Sequence, residues 1–118
     1  MATPGPELRQ ELLVLSKAYT SRLPERLQEI EKAFRRWRES PLEREALDEL
    51  RSLSHRLTGS AATYGVSEVS ETAKTLESLL RSAGSPPSDD ALARLANQIS
   101  ELRLEVERAA LPAGKSVA

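Results

Sequence analysis

The stretch LSHRLTGSAATYG, residues 53–65, combines the apolar spacing of a helix with small side chains around one histidine. Leu53 and Leu57 are four residues apart, which is the spacing of a single helix face. His55, the only histidine of the chain, falls about 140° from the core direction and is therefore predicted to point outward. Gly65 is predicted to end the helix in a left-handed conformation.

The residues that share the predicted face of His55 are all small. Ser52 lies before it, Gly59 follows after one helical turn and Ala62 after two. A glycine inside a helix costs about 1 kcal/mol relative to alanine, so Gly59 calls for a compensating advantage, such as close approach of a second protein. A solvated surface histidine beside a tolerated glycine fits the same pattern equally well.

Outward from this stretch, apolar residues recur at steps of three and four in further segments, each of which predicts a helix. The first segment runs from Leu8 to Trp37, and Pro24 is expected to kink it or break it near residues 21–24 into a short helix and a longer one. The others are predicted over Leu42–Tyr64, with Ser40 and Pro41 as N-cap and first turn, over Ser67–Arg81, and from Ser88 or Asp89 to Pro112.

These segments predict an all-α fold, an antiparallel up-and-down four-helix bundle, because no segment alternates with the period of a strand and the connections are short. An extra short helix at the N-terminus is also expected. The bundle is predicted over residues 8–111, after a disordered start at residues 1–7 and before a flexible tail or linker at residues 112–118. The apolar stripes look just wide enough to fill one core, which favours a monomer.

Composition and charge exclude several classes of function. The chain has no cysteine and a single histidine, so it has no disulfide framework, thiolate nucleophile, or Cys-rich or His-rich metal site. A net charge of −1 gives no general attraction to nucleic acid or to an anionic membrane. The sequence lacks a signal-peptide pattern and any apolar run near the roughly 18 residues of a membrane span, so a soluble cytoplasmic protein is expected.

Helical spacing gives His55 no carboxylate partner, because Asp48 lies seven residues before it and Arg51 occupies the position one turn before it. A Ser/His/Asp triad is therefore not predicted. An exposed imidazole, largely neutral near pH 7, still has a free lone pair and can act as a nucleophile without a neighbouring base.

The segment HRLTGSAATYG, residues 55–65, resembles the signature of histidine-containing phosphotransfer (HPt) domains. In this resemblance His55 matches the phosphoacceptor and Gly59 the small residue beside the ring, and the remaining matches are Leu57, Ser60, Ala61 and Gly65. The resemblance covers roughly residues 8–108, and VSEVSETAKTLESLLR at residues 66–81 is similar to the next helix of the family.

Thr58 departs from the family pattern, which often has lysine three residues after the histidine. A positive charge that helps to hold the phosphoryl group is thus missing at this position. Arg51 and Arg56 are the nearby candidates to supply it.

The resemblance implies that one nitrogen of His55 accepts a phosphoryl group from an aspartyl phosphate of a response-regulator receiver domain and passes it to another. The implied partners are a receiver domain and a hybrid sensor histidine kinase, with neither nucleic acid nor a membrane. Mg²⁺ is expected on the receiver, with no cofactor, metal or ATP site on this chain, so whether this phosphocarrier counts as an enzyme stays open. The residues expected to contact the phosphoryl group or the partner are Ser52, Arg56, Thr58, Gly59 and Ala62.

Three other hypotheses stay open. The first is a degenerate bundle that binds receivers without carrying phosphate, and the absence of lysine at Thr58 motivates it. A purely structural dimerisation module predicts a large exposed apolar seam on one helix. The third alternative is the histidine domain of a chemotaxis-type kinase, in which a separate catalytic domain would phosphorylate His55 from ATP.

Overall fold

The computed structural model describes residues 5–111, which form four helices and, within that range, no strand. The helices are α1 (Pro6–Glu39), α2 (Arg44–Thr63), α3 (Ser67–Ser82) and α4 (Asp89–Ala110). Each helix packs against two others, in the cyclic order α1, α2, α3, α4. The predicted all-α four-helix bundle is confirmed.

Side-chain contacts show that neighbouring helices run antiparallel. Between α1 and α2, Tyr19 contacts Ser60 whereas Arg36 contacts Glu49. Residue numbers therefore increase along α1 in the direction in which they decrease along α2. The core between the helices is mainly aliphatic, with fully buried Leu, Ile, Val and Ala side chains from all four helices and one tryptophan, Trp37. Burial of each large apolar side chain contributes about 1.5–3 kcal/mol, which holds the bundle together.

Helix α1 continues through Pro24 without a break, so the predicted division near residues 21–24 and the separate short helix are wrong. A proline inside a helix removes one backbone hydrogen bond. Tyr19, Leu23 and Leu27 nevertheless bury their side chains on both sides of the proline, at 6%, 0% and 3% exposure. Packing on the core therefore keeps this part of the chain helical.

The start of α2 also differs from the prediction, because Ser40 and Pro41 do not open it. Ser40 instead ends α1, where its N–H donates to the carbonyl of Arg36 at 3.2 Å. The carbonyl of Ser40 then accepts a hydrogen bond from the N–H of Glu43 at 2.9 Å, which closes a turn. This turn delays the start of α2 to Arg44.

Two predicted helix boundaries are confirmed. Gly65 has a φ of +74°, and beside it the N–H of Val66 donates to the carbonyl of Ala61 at 2.8 Å, as in a Schellman motif. Ser88 caps α4, since its hydroxyl accepts a hydrogen bond from the N–H of Ala91 at 3.1 Å. The α2–α3 connection therefore consists of little more than the glycine turn.

The first turns of α1 project beyond the packed part of the bundle. At about 1.5 Å per residue, α1 spans about 51 Å, whereas the other helices span about 24–33 Å. Residues 6–18, here called the α1 extension, leave five large apolar side chains 48–65% exposed: Leu8, Leu12, Leu13, Val14 and Leu15. The prediction that the apolar stripes only fill one core is wrong for this segment.

The predicted termini fall mainly outside the described residues. Residues 1–4 of the expected disordered start and the whole expected tail, residues 112–118, lie outside them, and α1 already begins at Pro6. Within residues 5–111, no helix is both long and apolar enough to cross a membrane.

Candidate functional site

His55 lies on the outer face of α2, with its side chain 82% exposed. Ser52, Gly59 and Ala62 lie on the same face and are also exposed, whereas Leu57 is buried beneath them. A Cβ atom added at Gly59 would meet no heavy atom within 4 Å. The surface one turn after the histidine is therefore open to an approaching molecule.

The buried face of α2 departs from a regular apolar stripe in two places. Ser54 is fully buried and donates its hydroxyl to the carbonyl of Leu50 at 2.8 Å, while Leu53 is only half-buried. Tyr64 is 38% exposed, and its ring stacks on Tyr19 with centroids 4.5 Å apart. Because the hydroxyl of Ser54 is satisfied within its own helix, a small polar residue can lie in the core here.

A carboxylate from the neighbouring helix contacts the histidine. Oε1 of Glu77 in α3 lies 3.0 Å from Nδ1 of His55, and the Glu77 side chain is only 16% exposed. A carboxylate accepts hydrogen bonds, so this contact favours the tautomer in which Nδ1 carries the proton and Nε2 keeps its lone pair. In this tautomer Nε2, the nitrogen that does not contact Glu77, is the one that can act as a nucleophile.

Spacing along α2 alone misses Glu77, because this residue belongs to another helix, 22 residues away from His55. The position of the turn at Gly65 could have predicted Glu77 as the partner of His55. His55 lies ten residues before this glycine and Glu77 twelve after it. An antiparallel helical hairpin brings two such positions to nearly the same level.

Thr58 is half-buried in the seam between α2 and α3. Its hydroxyl donates to the carbonyl of Ser54 at 3.0 Å, and its own carbonyl accepts the hydroxyl of Ser70 at 2.8 Å. The residue in the family's lysine position therefore contributes to helix packing.

The cations that line a cleft with the histidine come from two helices. A surface cleft of about 310 Å³ is lined by Arg51 and His55 of α2 and by Glu77 and Arg81 of α3, and it is called the His55 cleft below. Arg56, the other candidate from the sequence, is exposed and does not line this cleft.

The fold and the site together define a helical-bundle module that presents one histidine on its surface, beside a carboxylate of the neighbouring helix. A family model described as Hpt domain matches residues 14–105, which is most of the chain. The chain belongs to the Hpt domain family, as its resemblance to this family predicts. Membership associates it with phosphotransfer in two-component systems, in which such domains interact with receiver domains and histidine kinases. No curated protein and no solved structure matches the chain significantly.

Proposed function

We propose that this protein is a histidine phosphotransfer protein of a two-component phosphorelay. It accepts a phosphoryl group on His55 from a receiver-domain aspartate and passes the group to a second receiver. The observation that carries the proposal is the exposed imidazole whose Nδ1 lies 3.0 Å from the Glu77 carboxylate.

The arrangement supports attack by Nε2. The lone pair of Nε2 forms a bond to phosphorus, the bond between phosphorus and the aspartyl oxygen breaks, and its electron pair leaves with the carboxylate. The proton on Nδ1 stays in its hydrogen bond to Glu77, whose negative charge offsets the positive charge that the ring gains. Reversal of these steps returns the phosphoryl group to an aspartate, so one site serves both directions.

The docking surface is proposed to surround His55 on the outer face of α2. It comprises the exposed residues Ser52, Gly59 and Ala62, with Arg56 at its edge. The partners are a receiver domain and a hybrid sensor kinase, and the receiver supplies the Mg²⁺ that neutralises the charge of the transferred group. We propose that the protein works as a cytoplasmic monomer and binds neither nucleic acid nor a membrane.

The function is tested by incubating the protein with a panel of receiver domains that carry radiolabelled aspartyl phosphate. Acid-labile, alkali-stable label is expected on the protein and is expected to be absent from His55→Gln. Because the His55 side chain is 82% exposed, this variant should keep its stability within about 0.5 kcal/mol, so loss of label would not reflect unfolding.

Other outcomes of this experiment favour the alternatives. Stable receiver binding without any label on His55 would indicate a degenerate module that binds receivers only. Label that arrives only from ATP through a separate kinase catalytic domain would indicate the histidine domain of a chemotaxis-type kinase.

Replacing Glu77 with alanine is expected to slow phosphoryl transfer by about tenfold, because the imidazole loses the partner that orients it. Glu77→Gln should retain more activity, since its amide oxygen can still accept the proton on Nδ1. Nitrogen NMR of His55 should show a smaller fraction of the Nδ1–H tautomer in the alanine variant.

Glu71→Ala provides the matched control, because Glu71 is an exposed glutamate of the same helix whose carboxylate has no partner among residues 5–111. It should change neither the transfer rate nor the tautomer populations. A Glu77→Ala variant with unchanged tautomer populations would contradict the orienting role of Glu77.

A dimerisation module is the second candidate function, favoured by the exposed apolar side chains of the α1 extension. Such a module would pair the extensions of two copies, and it would not exclude phosphotransfer unless the dimer buried His55. Sedimentation equilibrium separates the two states. A monomer at high micromolar concentration would exclude dimerisation, and an obligate dimer that shields His55 from label would exclude phosphotransfer.

A further inference from the structure

Position 58 offers no cation for a phosphoryl group on His55. The family pattern often has lysine there, whereas the hydroxyl of Thr58 donates into its own helix. The two cations that line the His55 cleft are Arg51 and Arg81.

Both arginines lie about one helical turn from the contact between His55 and Glu77. Arg51 precedes His55 by four residues on α2, and Arg81 follows Glu77 by four residues on α3. Because these helices are antiparallel, both turns lie toward the same end of the bundle. Nη2 of Arg51 accordingly reaches the carbonyl of Leu80, the residue next to Arg81, at 3.1 Å.

Both guanidinium groups keep donors available for a ligand. The Arg81 side chain is exposed and forms neither a hydrogen bond nor an ion pair with any residue between 5 and 111. Within the same residues, Nη1 of Arg51 has no partner and is the donor left for a ligand, whereas Nε is buried. The partner of Nη2 is a neutral carbonyl, which holds Arg51 beside the cleft and leaves its charge uncompensated.

The charges of the cleft favour an anion once His55 is modified. Two guanidinium groups oppose a single carboxylate, that of Glu77, which is already bonded to the imidazole. A phosphoryl group adds about two negative charges close to this carboxylate. Guanidinium groups suit such a group because their planar N–H donors bind phosphate oxygens in pairs.

We propose, on the basis of the function proposed above, that Arg51 and Arg81 form the phosphoryl-binding cation pair of His55 and replace the lysine of the family pattern. They donate hydrogen bonds to the non-bridging oxygens while the bond from Nε2 to phosphorus forms. The bond to the aspartyl oxygen breaks and its electron pair leaves with the aspartate, so the arginines stabilise charge and exchange no proton.

The experiment measures the equilibrium ratio of phosphorylated His55 to phosphorylated receiver, with a receiver that labels the unmodified protein. Each of Arg51→Gln and Arg81→Gln is expected to lower this ratio by about threefold, and the double variant by about tenfold. Introducing Thr58→Lys into the double variant should recover part of the loss, because it restores a cation at the family's position.

Arg35→Gln is the matched control, since Arg35 is an exposed arginine of α1 without a partner among residues 5–111, and the substitution removes the same charge. Thermal unfolding of every variant checks the fold. Should Arg51→Gln unfold, Arg81→Gln alone tests the proposal, because Arg81 is exposed and its substitution should not disturb the fold.

A double variant whose ratio equals that of Arg35→Gln would overturn the proposal while leaving phosphotransfer on His55 intact. Failure of Thr58→Lys to recover any of the loss would also overturn it, since the missing group would then not be a cation for the phosphoryl group. An unmodified protein that no receiver labels would instead overturn the proposed function, and this proposal with it.

Discussion

Gly59→Leu is expected to lower phosphoryl transfer from a receiver domain by about a hundredfold, because displacing a reacting group by about 1 Å is enough for such a loss. Gly59 lies one turn after His55 on the exposed face of α2, so a leucine there would cover the edge of the imidazole. The receiver could then no longer bring its aspartyl phosphate into line with Nε2.

The same substitution should make the fold slightly more stable. No heavy atom lies within 4 Å of a Cβ placed at Gly59, and leucine favours a helix over glycine by about 0.8 kcal/mol. Opposite changes in transfer and in melting temperature would separate an effect on docking from damage to the bundle.

Two controls sharpen this prediction. Gly59→Ala adds only a methyl group and should retain most of the transfer. Ser100→Leu adds a leucine to the exposed surface of α4, which does not pack against α2, and should leave transfer unchanged.

The small donor phosphoramidate should still label His55 in Gly59→Leu. If the Gly59→Leu variant accepted phosphate from a receiver at the unmodified rate, the open surface at Gly59 would have no role in docking.

Trp37→Ala is expected to lower the free energy of unfolding by about 3–5 kcal/mol, which is a large part of the 5–15 kcal/mol typical of such domains. Trp37 is fully buried, so truncation removes its apolar contacts and leaves a cavity. Urea denaturation followed by circular dichroism measures the loss, because the variant no longer contains tryptophan fluorescence.

Trp37→Phe should cost much less than the alanine variant. Nε1 of Trp37 is buried without a hydrogen-bond partner among the described residues, so phenylalanine removes an unsatisfied donor while it keeps most of the apolar surface. Leu13→Ala, at a 60% exposed position of the α1 extension, should stay within about 0.5 kcal/mol of the unmodified protein. A loss below about 1 kcal/mol for Trp37→Ala would contradict the dense packing around this side chain.

Features that depend on local spacing could be predicted from the sequence. Apolar periodicity located the four helices, and the conformational freedom of glycine identified the end of α2 at Gly65. The prediction of a break near Pro24 is wrong because the backbone hydrogen bond that proline removes is a local property, whereas the burial of Leu23 is a tertiary one.

The candidate site likewise contains some residues that local spacing predicts and others that depend on how the helices pack. His55 and the small residues on its face share one helix, so helical geometry placed them correctly on the exposed surface. Glu77 and Arg81 come from α3, and their approach depends on the register between two helices, which no pattern within α2 contains. The exposure of the α1 extension likewise follows from the unequal lengths of the helices rather than from their apolar stripes.

The tight turn at Gly65 also bears on the order in which the molecule folds. Every residue that lines the His55 cleft lies between positions 51 and 81, and the contacts across it join residues 22 and 29 positions apart. The contact between Tyr19 and Ser60 spans 41 positions, and that between Glu31 and Arg103 spans 72. Because shorter loops lose less entropy on closure, the hairpin of α2 and α3 can bring the residues of the His55 cleft together without the contacts that join distant parts of the chain.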